Sequence, residues 1–437
     1  MKDSPKQMIK TMANLEKQIT VNEYSYIVSE KAPEYVKGNK ISHQAFNELT
    51  ELIQKKPLDI DIDHGSIFWQ RGQQLQVRHY VGIIQTTDGT QIEILPKMAK
   101  SFDVVKLRDI VLKMLREVGD LPHKSGHNAS LDTAEHPLLE LFIHDFLNEV
   151  QHLVKQGIRS DYLRQSDNLS FLKGKLLTVN QLKYNLIRRD RFFVEYDNFD
   201  PNRPENRLIK SSLNIVLKLC KNFRNQRIAR ELLFTFADIP ESSHYNQDFQ
   251  SCSQDRGMYY YQKSLAWCRL ILNNQSPIPQ IGEQNFHSLL FPMPFLFEKY
   301  VANIFKQQLN GWLVKSQVND KKLLSSKDKN QELFQIRPDL LLINTDKKII
   351  VDTKWKLIDS NDKKNKYSIS QSDLYQVFAY AKYFDSNHVI LIYPKTDSFQ
   401  THISFDYIDQ NCKLDLWPLD LDEVDEGMSE FSNLINQ

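Results

Sequence analysis

The residues best suited to do chemistry lie between positions 336 and 356, in the string IRPDLLLINTDKKIIVDTKWK. Asp339 follows Pro338 at the head of one apolar run, LLLI. Asp352, Thr353 and Lys354 close the next, IIV. Side chains alternate along a strand, so Asp352 and Lys354 share a face. The turn at 344–347 makes the two runs antiparallel neighbours, which brings Asp339 close to Asp352. Two carboxylates at one point repel unless a cation neutralises them. Hard oxygen ligands favour Mg²⁺, with Mn²⁺ as a substitute and water completing the shell. Asp339 and Asp352, with the Thr353 carbonyl, would be its protein ligands. Lys354 would then align or deprotonate an attacking water, or stabilise charge developing on a phosphate.

This is the PD-(D/E)xK pattern of metal-dependent nucleases, written here as Pro338-Asp339 and Asp352-Thr353-Lys354. The bare string is weakly specific, because Asp and Lys are common; apolar strands at hairpin spacing give it weight. The competing reading is a strand pair ending in solvated charges, with Asp352 and Lys354 as a surface pair. Two flanking elements bear on the choice. Glu298 sits in PFLFEKYV among apolar neighbours, where it would reach the metal site, or else pair with Lys299 at the surface. Gln376 and Tyr380 lie four apart in DLYQVFAYAKYF, on one helical face, aimed at the scissile phosphate or Lys354 unless that face simply packs on the sheet. Lys356 reads as an exposed strand lysine, with a second phosphate contact as the alternative.

The elements that must hold these residues follow from periodicity. The last third reads as helix MPFLFEKYVANIFKQQL opening at Pro294, strands LFQIRPDLLLI and KKIIVDTKWKL, helix SQSDLYQVFAYAKYF and strand HVILIYP. That order predicts an α/β nuclease domain over 291–437. Its final stretch from Lys413 holds seven acids against one Lys and is expected as an acidic tail on the surface. Upstream, residues 1–20 are polar and 21–100 β-rich, with the alternating DIDIDHGSIFWQ and an Asp88-Gly89 hairpin before TQIEILP. Residues 101–290 read as mostly helical, with short strands near 170–200. Val104, Leu107, Val111, Met114 and Val118 share a helical face that Gly119 would end. Pro137 and Gly157 bracket a second helix, and Leu208, Leu213, Val216 and Leu217 face inward on a third. The fold class is therefore multidomain α+β.

Composition excludes other classes. The chain has 437 residues, 41% hydrophobic and 25% charged, enough to bury sizeable cores without disulfides or structural metal. A net charge of +1 rules out a uniformly basic or an acidic disordered protein, so a nucleic-acid surface must be a local patch. One candidate runs from His152 to Arg230, with 17 Lys/Arg against 7 Asp/Glu. It includes Arg188, Arg189 and Arg191, and then Lys221, Arg224, Arg227 and Arg230 at about helical spacing. Such a stripe suits phosphates, the acidic face of a partner, or plain solvation. Cys220, Cys252, Cys268 and Cys412 are far apart and form neither a disulfide framework nor a zinc finger. His123 and His127, in the polar loop that includes HNASLDTAEH, lack further ligands for zinc, and Tyr259–Tyr261 read as packing residues. The N-terminus lacks a signal peptide's apolar core and no stretch approaches a membrane span, so a cytoplasmic protein with no membrane contact is expected.

Several segments, taken in order, resemble the McrC family, the nuclease subunit of McrBC-type 5-methylcytosine-dependent restriction systems. They are HYVGIIQTTDGTQIEILPKM, PENRLIKSSL, MPFLFEKYV, IRPDLLL, IIVDTKWK and DLYQVFAYAKYF, which touch most of the chain between about 60 and 395. The resemblance implies a partner, an McrB-like AAA+ GTPase hexamer that binds GTP and supplies site recognition. The N-terminal and helical portion would plug into that ring and stimulate hydrolysis, while the C-terminal domain cuts double-stranded DNA with Mg²⁺. Asp339 and Asp352 match the family's metal-binding acids and Lys354 its catalytic lysine. Glu298, Gln376 and Tyr380 match looser accessory positions. In keeping with this, the chain has no GxxxxGK[ST] loop of its own; the Gly174-Lys175 pair lacks the surrounding residues. Three alternatives stay open: a non-catalytic DNA-binding activator of the GTPase, a nuclease subunit of a related system recognising unmethylated sites, and a stand-alone nuclease.

Overall fold

The computed structural model describes residues 18–54, 67–98, 103–118, 137–253, 255–273, 287–318, 321–325, 332–345, 347–408 and 412–436. The alternating residues 58–66, Gly119 and the loop histidines His123 and His127 fall outside them. The chain forms two units: residues 1–138 together with 276–437, and residues 139–275.

The first unit opens with β1 (Gln18–Asn22), β2 (Tyr26–Ser29), β3 (Asn39–Ile41), α1 (His43–Gln54), β4 (Phe68–Arg71), β5 (Gln74–Val77), β6 (Tyr80–Gln85), β7 (Gln91–Leu95) and α2 (Val104–Val118). One sheet has the order β3-β2-β5-β4. The expected hairpin is β6–β7, closed by Gly89 at φ +84, a left-handed turn position that glycine adopts without strain. Inward residues of both sheets and α1 share a core that includes Ile27, Leu49, Leu75, Ile84, Ile92 and Ile94. On α2, Leu107, Val111 and Met114 are buried as their spacing predicts, while Val104 is exposed. Arg108 of α2 grips the fully buried Glu93 of β7 through two bonds of 2.9 and 2.8 Å, which satisfies a charge too costly to bury alone.

The second unit comprises α3 (Leu138–Gln156), β8 (Asp161–Leu169), β9 (Lys175–Leu176), α4 (Thr178–Asn185), β10 (Phe192–Asp200), α5 (Pro204–Leu219), α6 (Phe223–Thr235), α7 (Tyr245–Ser251) and α8 (Gln262–Asn273). Its strands form one antiparallel sheet, β8-β10-β9, in the region where short strands were expected. On α5, Leu208, Leu213 and Val216 are buried, and Pro204 opens the helix as N-terminal prolines do. Tyr261 is fully buried and donates to Asn206 Oδ1 at 2.7 Å, whereas Tyr259 is 70% exposed.

The chain then returns to the first unit with β11 (His287–Pro292), α9 (Met293–Gln308), β12 (Leu313–Ser316), β13 (Lys321–Ser325), β14 (Glu332–Ile336), β15 (Leu340–Ile343), β16 (Lys348–Thr353), α10 (Gln371–Phe384), β17 (His388–Pro394), β18 (Ile403–Asp406), β19 (Lys413–Leu419) and α11 (Val424–Asn436). β11 straddles the expected boundary between the mostly helical stretch and the nuclease domain. It is a strand because HSLLFP is short, apolar and closed by proline, and it pairs antiparallel with β6, giving the sheet β1-β7-β6-β11. The third sheet is six-stranded, β12-β15-β16-β17-β19-β18, with β16, β17 and β19 parallel. Parallel strands covered on both faces read as continuous apolar runs, which IIV and HVILIYP are.

The acidic tail corrects the sequence expectation. Lys413–Leu419 is no surface segment: β19 sits between β17 and β18, with Leu414 through Leu419 buried. Its one acid, Asp415, is tolerated because His388 Nε2 and Lys413 Nζ meet its carboxylate at 2.7 and 3.0 Å and Ser404 donates a third bond. Burial works against the anion, but those bonds win and hold its pKa at about 2. The remaining acids lie beyond β19, around and on α11, whose Met428, Phe431 and Ile435 are buried. Among the described residues no helix is long and apolar enough to cross a membrane.

Candidate active site

The site lies at one end of the six-stranded sheet. β15 and β16 pair with Leu340 opposite Val351, so one step further along the register Asp339 stands opposite Asp352. Asp339 is anchored from across the pair: its Oδ2 accepts from Thr353 N at 2.7 Å and from Thr353 Oγ1 at 2.6 Å. Asp352 is 2% exposed. Lys354, just past the strand, donates its backbone N–H to Ile392 of β17. Its Nζ lies 2.8 Å from Asp352 Oδ2, in a largely buried ion pair. The same ammonium donates to Gln376 Oε1 at 3.0 Å, and Gln376 Nε2 donates to Tyr380 OH at 2.8 Å. The one-residue separation in DTK and the four-residue separation in QVFAY thus converge on a single ammonium group.

Glu298 stands on α9 and accepts from Gln317 Nε2 at 2.8 Å rather than pairing with Lys299. Gln317 also donates its backbone N–H to Asp339 O at 2.9 Å, so it ties the two acids together. It does so at φ +49, a left-handed conformation that a non-glycine residue holds only when its surroundings fix it. Nothing in the sequence marks Gln317, which directly follows a short edge strand. Asp373, also unmarked, is buried at the start of α10 and takes Lys356 Nζ at 2.7 Å. Lys356 is therefore an exposed lysine with an acid partner.

Electrostatics bind the group together. Burial, then the charge of Asp339, pushes Asp352 up to about 7 against the pull of Lys354. Burial raises Asp339 as well, opposed by the Thr353 bonds, and burial with the Asp339 charge raises Glu298. For Lys354, burial works to lower the pKa, but Asp352 and its neighbours outweigh it and the net shift is upward. Three carboxyls thus share this end of the sheet, and the Lys354 ammonium at Asp352 Oδ2 is the close cation among them. That donor set, hard, anionic and short of positive charge, fits a divalent cation. Among the described residues no three His, Cys, Asp or Glu side chains converge at ligand spacing. A metal here would therefore rest on Asp339, Asp352, the Thr353 carbonyl and solvent.

In the second unit Lys221, Arg224, Arg227 and Arg230 are exposed, as are Arg188 and Arg189, while Arg191 is half-buried.

The comparisons agree with this architecture and place the chain among restriction-system proteins. A family model described as "McrBC 5-methylcytosine restriction system component" matches residues 75–394, well over half of the chain. The chain belongs to that McrBC family, and the order of its motifs is that of the McrC type. The Type IV methyl-directed restriction enzyme EcoKMcrBC of Escherichia coli (strain K12) is 21% identical over 277 residues, which covers 61% of this chain and 79% of that relative. Among solved structures, a chain of the refined half-complex from the tetradecameric assembly of Thermococcus gammatolerans McrB AAA+ hexamers with bound McrC is similar with a TM-score of 0.70. The match has 16% identity and covers 96% of this chain and 99% of that one. A chain of the cryo-EM structure of the Thermococcus gammatolerans McrBC complex matches with a TM-score of 0.50 and 21% identity over 67% of this chain and 88% of that one. At these identities the structural matches establish the fold.

Proposed function

We propose that this chain is the DNA-cutting subunit of an McrBC-type restriction complex, hydrolysing phosphodiesters of double-stranded DNA bearing 5-methylcytosine. The observation that carries the reading is the convergence of Asp339, Asp352 and Lys354 at one sheet end, with Lys354 further held by Gln376. Asp339 and Asp352, with the Thr353 carbonyl, would hold Mg²⁺. When bound, the ion supplies the positive charge that lets both carboxylates ionise together and draws the scissile phosphate to them. Thr353 orients Asp339 through two hydrogen bonds. Lys354 sits on the same face as Asp352, where its ammonium aligns the attacking water and offsets charge gathering on the phosphate oxygens. The bonds from Lys354 to Gln376 and from Gln376 to Tyr380 fix that ammonium, so little reorganisation is left for the reaction itself.

The chain carries no phosphate-binding loop of the GxxxxGK[ST] kind. The proposed complex therefore takes its GTP hydrolysis from an McrB-like AAA+ hexamer, which this chain stimulates. Cleavage of methylated and unmethylated plasmid, with the partner, GTP and Mg²⁺, tests the reading. Cutting of methylated plasmid is expected to need all three and to vanish with Asp352→Ala. Undiminished cutting by that variant, or none by the wild type despite stimulated GTP hydrolysis, would remove the nuclease assignment.

A further inference from the structure

The residue after Asp352-Thr353-Lys354 is Trp355, and its indole is held from the far end of the sequence. Trp355 is 8% exposed, and its Nε1 donates to Glu23 Oε2 at 2.9 Å in the buried interior. Glu23 directly follows β1 and is 1% exposed. The same Oε2 accepts from Lys97 N at 3.1 Å, while Oε1 makes no hydrogen bond among the described residues. A buried carboxyl with one unbonded oxygen is expensive, and a hydrophobic side chain there would serve packing better. Its position is also over-determined. Glu23 N donates to Leu95 O at 2.9 Å. The next residue, Tyr24, sits at φ +64, held by bonds from its N–H to Val77 O and between its hydroxyl and His79 Nδ1. On its other side Trp355 packs against Phe297 at 5.3 Å between ring centres, on the helix that carries Glu298.

We infer that Glu23 is a positioning residue for the cleavage reaction: through Trp355 it fixes the chain segment that presents Lys354. This rests on the nuclease reading above and adds to it an N-terminal residue outside the nuclease motif. The physical basis is alternation and tether. Lys354 and Lys356 flank Trp355; Lys354 reaches Asp352 and Gln376, and Lys356 reaches Asp373. Beyond the bond from Lys354 N to Ile392 O of β17, the segment is held by Lys356 N donating to Lys354 O at 2.9 Å, by the Lys356–Asp373 pair and, between the two lysines, by the indole. A displacement of order 1 Å at a reacting group lowers a rate by about a hundredfold, so a loosened Trp355 is felt in turnover before it is felt in DNA binding. The N-terminal part also meets the start of the helix that carries Glu298, since Met293 N, opening α9, donates to His79 O at 2.8 Å.

The test is single-turnover cleavage of methylated plasmid by the full complex with partner, GTP and Mg²⁺, alongside DNA affinity. Glu23→Ala, Trp355→Phe, their double, Glu23→Gln and Asp352→Ala are compared. Trp355→Phe keeps an aromatic ring against Phe297 while removing the donor and part of the indole's bulk, so it is a milder change that guards against a Glu23→Ala chain that fails to fold. Glu23→Ala and Trp355→Phe are each expected to slow cleavage about tenfold or more with DNA affinity within about twofold. Their double should be no slower than the slower single, because both break one contact. Glu23→Gln should cut within about threefold of wild type, its amide oxygen taking both bonds that Oε2 now accepts. The inference is overturned if Trp355→Phe cuts at the wild-type rate, if the two losses multiply, or if Glu23→Gln is as slow as Glu23→Ala. Asp352→Ala separates the two claims: wild-type cutting by that variant would sink the nuclease reading itself.

Discussion

At the scale of single residues, the site divides into what a short string shows and what only folding brings near. Asp339, Asp352 and Lys354 were legible because strand alternation and one tight turn fix their neighbourhood locally. Gln376 and Tyr380 were legible as a helical pair aimed at the phosphate or Lys354; the fold puts Gln376 on Lys354, with Tyr380 one bond behind it. Gln317 and Glu23 were not legible, because their partners Glu298 and Trp355 are brought to them by the tertiary fold. The Lys354–Gln376 bond makes a graded prediction. Gln376→Ala should lower the cleavage rate by about tenfold with DNA affinity unchanged, and Tyr380→Phe by less, since the hydroxyl acts one bond further away. A rate unchanged by Gln376→Ala would mean that the ion pair with Asp352 alone places the ammonium. Glu23 gives a second prediction, in pH. Burial raises its pKa from 4.5 to about 8 despite the Trp355 and Lys97 bonds. The folded chain therefore keeps a proton that the unfolded chain releases, so stability falls as pH rises from about 4.5 to about 8 and levels off above. Glu23→Gln removes that penalty. Denaturant unfolding should show little gain at pH 5 and about 1–3 kcal/mol at pH 8. An equal gain at both pH values would show that the carboxyl does not carry the raised pKa.

At the scale of elements, periodicity worked where an element's own residues decide its form. The helices over Val104–Val118, Leu138–Gln156, Met293–Gln308 and Gln371–Phe384 and the β15–β16 pair stand where spacing and end signals put them. The failures share a different cause. HSLLFP becomes β11 because β6 offers it an edge, and KLDLWPL becomes β19 because β17 and β18 leave a slot between them. In β19 the acids of the surrounding tail masked an apolar run whose one carboxylate is met by His388, Lys413 and Ser404. The energetic consequence is large. Leu416 is fully buried within that strand. Leu416→Ala should cost about 2–4 kcal/mol in unfolding free energy, read from the denaturation midpoint at constant slope. A surface tail would have lost under about 0.5 kcal/mol, so the two placements of this segment give well-separated results.

At the scale of the whole molecule, the question is where a partner of the proposed complex would bind, and exposure gives a sharper prediction than charge. The excess of ten positive charges between His152 and Arg230 suits either phosphate or protein and does not choose. Exposed apolar side chains favour a protein face as their partner, because nucleic-acid backbones give them little and a protein face gives them burial. In the β8-β10-β9 sheet, α4 and their connecting segments in the second unit, Ile187 is 94% exposed, Val179 76%, Tyr162 75% and Leu186 69%, with Phe171, Leu172 and Leu182 also open. The module holds its shape without them: Asn185 is buried and bonded to Asn168, Gln181 and the Arg191 carbonyl. Sequence could not show this, since an apolar residue on a short helix or ribbon reads as core until the fold leaves it uncovered. Leu186→Asp with Ile187→Asp should therefore cost the fold under about 0.5 kcal/mol, being exposed positions. The same pair should weaken capture of the AAA+ partner at least about tenfold, placing like any interface hot spot a charge where an apolar contact is due. Stimulated GTP hydrolysis should fall in step, measured against titrated chain. Unchanged partner affinity would assign this apolar face to something other than the motor and leave the basic helix α6, with Arg224, Arg227 and Arg230 outward, as the surface to reverse next.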